Sequence, residues 1–243
     1  MPHHLRPSTD YAGDALLPGD PGRALVLAQE LLLEPRMSNH ARGLWGYTGE
    51  TPGGRRLSIQ STGMGGPSAA IVLHELAELG VRRAIRVGTC GALDPGLGHG
   101  DLIVAADALA EDGTSRALGA GEFTEADLDL TRRLIEARGG EPAAARIVTT
   151  DLFYDADTED AGPPVPLIDA WLGRGARAVE MEAATLFTLG RRLGVATACL
   201  LAVSDTFEGG ERRRIGDEQL AEAATRMGSV AAAALGPRGS TLA

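Results

Sequence analysis

Two carboxylates one residue apart, Glu180 and Glu182, lie in the stretch Ala178–Leu189 (AVEMEAATLFTL), where a short apolar approach gives way to a helical pattern. On an extended segment such a pair points to one face. Set among Ala, Val and Met, both acids are costly unless something binds them. They can stabilise a helix N-terminus, or they can grip a ligand such as a vicinal diol, which donates two hydrogen bonds to one carboxylate. Arg86 poses the complementary problem inside the apolar run Arg83–Val87 (RAIRV). A buried guanidinium needs a partner, either a structural ion pair or a bound anion. Thr89 follows in the turn Gly88-Thr89-Cys90-Gly91, where its hydroxyl could help hold that anion. Asp205 ends the apolar run Ala196–Val203 beside Ser204; an Asp so placed can hold a proton and act as a general acid.

A second anion signal comes early in the chain. Asp14–Pro18 reads as a short buried strand that breaks into Gly19-Asp20-Pro21-Gly22-Arg23. A helical pattern then runs from Arg23 to near Pro35. A glycine turn between strand and helix exposes backbone N–H groups where the helix dipole favours an anion, and Arg23 adds a full charge there. An ordinary tight turn is the alternative, and the spacing matches neither a dinucleotide fingerprint nor a P-loop.

Composition narrows the chemistry. The 243-residue chain carries a net charge of −10, which argues against nucleic acid or an anionic membrane as the main partner. All 23 basic residues are Arg. Without lysine there is no P-loop lysine and no Schiff base, and phosphate can be clamped only by Arg side chains. Cys90 and Cys199 form no CxxC pair, and the five histidines lack metal-ligand spacing. No cofactor or metal is expected. The N-terminus lacks the apolar core of a signal peptide and no apolar run is long enough for a bilayer, so a cytoplasmic protein is expected.

The elements that must position these groups alternate. Leu44–Glu50 and Arg56–Thr62 form a plausible hairpin, preceded by Arg42 in a polar loop. A glycine-rich turn around Met64 leads to a helix from Pro67 through Leu79. Strands are expected at Arg83–Val87, Leu102–Leu109, Arg146–Thr150 and Ala196–Val203, and helices at Glu125–Arg138, to Leu193, and at about Asp217–Leu235. Asp155–Pro166 reads as an acidic, proline-rich surface loop. The expected fold is α/β: one domain over residues 1–243, three-layer αβα around a central mixed β-sheet. Ligands of such folds sit beyond the strand carboxyl ends, which brings Gly19, Arg86–Gly91, Phe153, Glu180–Glu182 and Ser204-Asp205 together. An arginine clamp, a diol grip and an isolated acid suit phosphorolysis of an N-glycosidic bond, whereas water as nucleophile would need no clamp.

The segments LLPGDPGRA, STGMGGPSAA, IRVGTCGA, AVEMEAATLF and LLAVSD resemble, in order and spacing, those of the hexameric bacterial nucleoside phosphorylases, a family of purine nucleoside and uridine phosphorylases. The resemblance implies that Gly19, Arg23, Arg86 and Thr89 bind phosphate, the co-substrate, with Arg42 reaching into a neighbouring subunit's site. It implies ribose contacts from Met64, Glu182 and His4, the last also across a dimer (His3 if the register slips). Cys90, Gly91, Phe153, Val179, Glu180, Met181 and Ser204 match the base pocket, and Asp205 the acid that protonates N7 of a purine. A homohexamer built of site-sharing dimers is implied.

Uridine phosphorylases carry a Gln and an Arg shortly after the FY pair and lack the Asp of the SD pair. Here FYDADTEDAG has neither, and Asp205 is present, so purine is favoured over uridine. One departure stands out: acidic Glu218 occupies the place of an Arg that assists the Asp, with Arg212, Arg213 and Arg214 nearby. A nucleosidase of the same fold is a further alternative, weakened by the GDPGR turn and paired arginines. A non-catalytic nucleoside-binding module is weakened by the intact Asp205.

Overall fold

The computed structural model describes residues 2–140, 144–154, 162–208 and 211–236. In chain order the elements are β1 (Asp14–Leu17), α1 (Pro21–Leu31), β2 (Leu33–Asn39), β3 (Gly46–Glu50), β4 (Arg56–Gln60), α2 (Gly66–Glu78), β5 (Arg83–Ala92), β6 (Leu102–Glu111), α3 (Gly113–Ala117), β7 (Phe123–Glu125) and α4 (Leu128–Arg138). They continue with β8 (Ala145–Thr150), α5 (Val165–Gly173), β9 (Ala178–Glu180), α6 (Ala183–Leu193), β10 (Ala196–Glu208), β11 (Glu211–Arg214) and α7 (Asp217–Ala234). All the strands join one mixed sheet in the order β11-β10-β6-β8-β9-β5-β1-β4-β3-β2, with β7 on β6. An additional parallel pairing of β10 with β5 makes β5, β10, β6, β8 and β9 close on themselves.

Period-2 alternation in β1 explains the layers. Leu16 packs with α1 and α7 through Leu27, Ala28 and Met227 on one side. Ala15 and Leu17 pack with α2 and α6 through Leu73, Leu76 and Leu186 on the other. The expected αβα arrangement is the one observed, and its long parallel pairs aim β1, β5 and β10 the same way.

Boundaries differ from the sequence expectation in five places. The first helix stops at Leu31, not near Pro35: a residue before proline is pushed out of helical geometry, and Glu34 takes φ 44° as the chain turns into β2. β5 does not stop at Gly88 but continues to Ala92, because Cys90 pairs with Val203 and Gly91 with Val179. Helix α4 starts at Leu128, where Asp127 caps it by accepting the Leu130 N–H at 2.9 Å; Glu125, the expected first residue, ends β7 instead. Residues 165–173, partly assigned to a loop, form α5, which buries Trp171 and Ile168 against Val148 and Leu109; residues 155–161 of that loop lie outside the described residues. β10 passes its expected end at Val203, slips register between Val203 and Asp205, and then pairs with β11. That bulge leaves Ser204 as the extra residue and re-aims the strand's end.

Candidate active site

Beyond the ends of β1, β4, β8 and β9 lies a cavity of about 390 Å³, large enough for a small organic ligand. Fourteen of the sixteen residues singled out from the sequence line it: Gly19, Arg23, Met64, Arg86, Thr89, Cys90, Gly91, Phe153, Val179, Glu180, Met181, Glu182, Ser204 and Asp205. His4 and Arg42 do not.

Arg86 anchors the charged end. Its Nε donates to Glu180 Oε2 at 2.8 Å, and its Nη2 pairs with Glu182. Residues 86 and 88 share a face of β5, and the guanidinium folds back over Gly88. A Cβ there would lie 2.7 Å from Arg86 Cζ, so only glycine leaves the room. Burial works against the Arg86 charge, but Glu182 and Glu180 outweigh it and hold the guanidinium firmly protonated, above the usual arginine range. Arg23 stands nearby on the first turn of α1; burial lowers its pKa and Asp20 opposes that. The Asp20 carboxylate also caps α1, accepting the Arg23 N–H at 2.6 Å. Part of the helix-end capacity for an anion is therefore used internally, and the arginine side chains carry more of that task.

The two acids of the opening motif divide the two roles considered for them. Glu180 is saturated. It accepts from Arg86, from Thr149 Oγ1 at 2.6 Å, and from the N–H groups of Glu182 and Ala183 at 2.9–3.0 Å. It is both the cap of α6 and the holder of Arg86. Glu182 accepts the Gly65 N–H at 2.6 Å, which Gly65 can present because its φ of 83° suits glycine. Burial, partly offset by Arg86, raises the Glu182 pKa. Arg23 and Arg86 thus face Glu180, Glu182 and the capping Asp20 at this end of the cavity.

At the other end the cavity is mostly apolar. Phe207, Phe153, Val179 and Gly91 line it. A Cβ on Gly91 would lie 2.9 Å from the Phe207 ring, so glycine lets that ring close down on β5. Cys90 is buried, which pushes its thiol pKa up and leaves it an inert wall. Asp205 receives the Ser204 hydroxyl on Oδ2 at 2.7 Å and has Arg212 Nη2 2.7 Å from Oδ1. The Arg212 guanidinium lies over the Phe153 ring, 4.8 Å from its centre. Of the three arginines left open by the sequence, Arg212 is the one in the cavity.

Phe207, Thr149 and Arg212 were not resolved by sequence reasoning. For Arg212 a signal existed: Glu208-Gly-Gly-Glu211 is a two-residue hairpin pattern. It implies the observed register, Phe207 opposite Arg212 and Asp205 opposite Arg214, which sets Arg212 diagonal to Asp205.

The two residues outside the cavity are held firmly. Glu75, buried on α2, accepts the N–H groups of His3, His4 and Leu5 and lies 2.7 Å from His4 Nδ1. Arg42 sits in a 3-10 turn at Ala41–Gly43 with φ 60°. Asn39 braces that turn through Ala41 O and Leu44 O, and its Oδ1 accepts the Arg6 N–H. The N-terminal segment and the Arg42 turn are thus tied together.

Among the described residues no group of three or more His, Cys, Asp or Glu could hold a metal ion, and no helix is long and apolar enough to cross a membrane. The family model of the phosphorylase superfamily matches residues 14–236. The chain is 40% identical over 208 residues to a DeoD-type purine nucleoside phosphorylase of Clostridium novyi, covering 83% of this chain and 86% of that protein. It is 38% identical to the protein of the same name from Caldanaerobacter subterraneus, with the same coverage. Against that of Geobacillus kaustophilus identity is 36% over 227 residues, 90% of this chain and 92% of the relative.

Proposed function

The chain belongs to the phosphorylase superfamily, and we propose that it is a purine nucleoside phosphorylase, splitting purine ribo- or deoxyribonucleosides with phosphate into free base and pentose 1-phosphate. One observation carries this reading: a single cavity runs from a buried arginine–carboxylate cluster at one end to an acid in an apolar, aromatic pocket at the other.

Phosphate binds at Gly19, Arg23, Arg86 and Thr89. Arg86 is preorganised for it, since Glu180 and Glu182 fix the guanidinium before any ligand arrives. Glu182 grips the ribose hydroxyls, and Met64, exposed at the cavity mouth, covers the sugar. The base lies between Phe153, Val179, Met181, Cys90 and Gly91. A phosphate oxygen attacks the anomeric carbon, the bond to N9 breaks, and its electron pair enters the purine. Asp205 delivers its proton to N7, a general-acid contribution of about 10²–10⁴-fold. Arg212 stabilises the charge that Asp205 then acquires, the role that the family resemblance gives to an Arg at the position held here by Glu218. Inorganic phosphate is a co-substrate, and no cofactor enters the scheme.

His4 and Arg42 serve the cavity of a second copy. Arg42 supports this because a non-glycine residue at φ 60° is strained, and such strain persists where it presents a functional group. We take the assembly to be a homohexamer of site-sharing dimers in the cytoplasm, where the unpaired thiols of Cys90 and Cys199 would stay reduced.

Incubation with inosine, adenosine, guanosine and uridine, with and without phosphate, tests the assignment. Phosphate-dependent release of purine base with ribose 1-phosphate is expected. Base release that ignores phosphate would make the enzyme a nucleosidase, and cleavage of uridine alone a uridine phosphorylase.

A further inference from the structure

A further buried carboxylate lies behind the cavity, and the chemistry proposed above makes no use of it. Asp112, between β6 and α3, is fully buried, and its described partners are neutral. The Ser115 N–H donates to Oδ2 at 2.7 Å, the Ser115 hydroxyl to Oδ1, and the Thr185 hydroxyl to Oδ2 at 2.8 Å. Capping α3 does not account for this arrangement. Asp20 and Asp127 cap α1 and α4 through the same backbone contact without being buried, whereas a buried carboxylate with no cation is costly. What the burial of Asp112 adds is the bond to Thr185.

Thr185 is itself fully buried, in the first turn of α6 and three residues after Glu182. Its hydroxyl also limits how closely α2 can approach. A Cβ on Gly66, the first residue of α2, would lie 2.7 Å from Thr185 Oγ1 and 2.9 Å from Thr114 Cβ, so α2, α3 and α6 meet with only glycine between them. The residue before it, Gly65, donates its N–H to Glu182 Oε1 at 2.6 Å, and Met64 stands at the cavity mouth. A shift of α6 against α2 would therefore act directly on Glu182 and on the turn that faces it. We propose that Asp112 and Thr185 are positioning residues for the sugar: by fixing the start of α6 against the start of α2, they set where the Glu182 carboxylate meets the ribose hydroxyls. Neither residue lines the cavity. The assignment rests on the reading of Glu182 as the ribose grip. Phosphate should depend on it less, because Arg86 keeps its bond to Glu180, and the base wall stands on other elements.

The test is calorimetric binding of inosine, adenosine, their free bases and inorganic phosphate to the wild type, Thr185→Val, Thr185→Ser and Gly66→Ala. Valine keeps the shape of Thr185 and removes the hydroxyl, serine keeps the hydroxyl, and Gly66→Ala loads the same junction from the α2 side. Thr185→Val and Gly66→Ala should weaken nucleoside binding by about tenfold to a hundredfold, the worth of one hydrogen bond to a charged group. Free-base affinity should stay unchanged, phosphate affinity should fall less than nucleoside affinity, and Thr185→Ser should stay near the wild type. Because the two disruptive variants reach the junction from opposite sides, either one carries the test if the other does not fold. Unchanged nucleoside affinity in a folded variant, equal losses for nucleoside and free base, or a serine variant as impaired as the valine one would overturn the assignment. A wild type that binds free base as tightly as nucleoside would overturn the sugar grip itself. Selective loss of nucleoside affinity in an enzyme that phosphorolyses neither nucleoside would uphold the positioning role and refute the phosphorolysis instead.

Discussion

The two ends of the cavity are built in opposite ways. At the charged end each group is held by several others. Arg86 is pinned by two carboxylates, Glu180 takes four donors, and both acids are at most 4% exposed. At the base end the Phe153 ring is 41% exposed, Arg212 is held by one ion pair and one ring face, and both groups stand on segments near the surface. The difference follows from what each end has to hold. A multiply charged, invariant ligand rewards a fixed cluster in which no dipole must reorganise. A flat apolar base that must enter and leave is served by a looser aromatic wall.

The strongest way to break this contrast is Arg86→Ala. Removing one partner of a buried ion cluster leaves the others uncompensated, at a cost of about 3–5 kcal/mol of folding stability. Phosphate use should collapse with it. Thermal unfolding and the KM for phosphate would both register the change; a variant of wild-type stability with unaltered phosphate dependence would mean the cluster is decoration.

Asp205→Ala should do the reverse. Asp205 is buried at 8% exposure, but its partner is Arg212 at the cavity wall and not a member of the Arg86 cluster, so its loss should act at the base end. Purine nucleoside turnover should fall by about 10²–10⁴-fold, while phosphate still protects the protein against thermal unfolding. Unchanged turnover would remove Asp205 from the acid role.

The same contrast governs what could be read from the sequence. An arginine within RAIRV and two acids within AVEMEA are anomalies against an apolar background, and burial forces anomalies to pair. The grouping at the charged end was therefore legible from residue types, but the need of Arg86 for glycine two places on was not, since Gly88 read as a strand end and belongs to β5. What could not be read was which acid does what. Glu180 was expected in the base pocket; it lines the cavity, but at the charged end, with its oxygens taken by Arg86, Thr149 and the first turn of α6. That division depends on Thr149 arriving from β8, a pairing no local pattern announces. The base end relies on ordinary residues, Phe207 and Arg212, in a hairpin whose significance lies only in its register. Boundaries failed where tertiary pairing overrode local signals, as when β5 ran through Gly88 and Gly91 because β9 and β10 flank it.

Glu75 extends the comparison to a second over-determined charge, away from the cavity. Burial would raise its pKa, but the Leu5 N–H, the His4 imidazole and the His4 and His3 N–H groups hold it at about 2 against an ordinary 4.5. A carboxylate depressed on folding stabilises above its unfolded pKa and loses that contribution as pH falls through its folded value. The N-terminal segment should thus be fully held above about pH 4.5 and released between there and pH 2. The linked free energy is on the order of 3 kcal/mol. Glu75→Gln should lower stability at neutral pH and flatten the acid-unfolding curve in that window, measured by circular dichroism. An identical acid transition in the variant would show that the segment is held by something else. If His4 works in a partner's site, the same variant should weaken nucleoside binding more than phosphate binding.

The smallest effect, and the most selective, is expected of Phe153→Ala. Phe153 supplies one face for Arg212 and one for the base, and its 5.1 Å edge contact with Tyr154 is partly in solvent. An exposed cation–π contact contributes about 0.5–1 kcal/mol, and loss of a stacking face about 0.5–1.5 kcal/mol. Together these predict a rise of about fivefold to seventyfold in the KM for nucleoside. The KM for phosphate and the melting temperature should hardly move, since no group of the Arg86 cluster touches the ring. Steady-state kinetics with each substrate varied in turn would separate the two. A shift in phosphate KM comparable to that for nucleoside would mean that the ends are coupled through β5 or α6, and that the looseness of the base end is not independent of the rigidity opposite it.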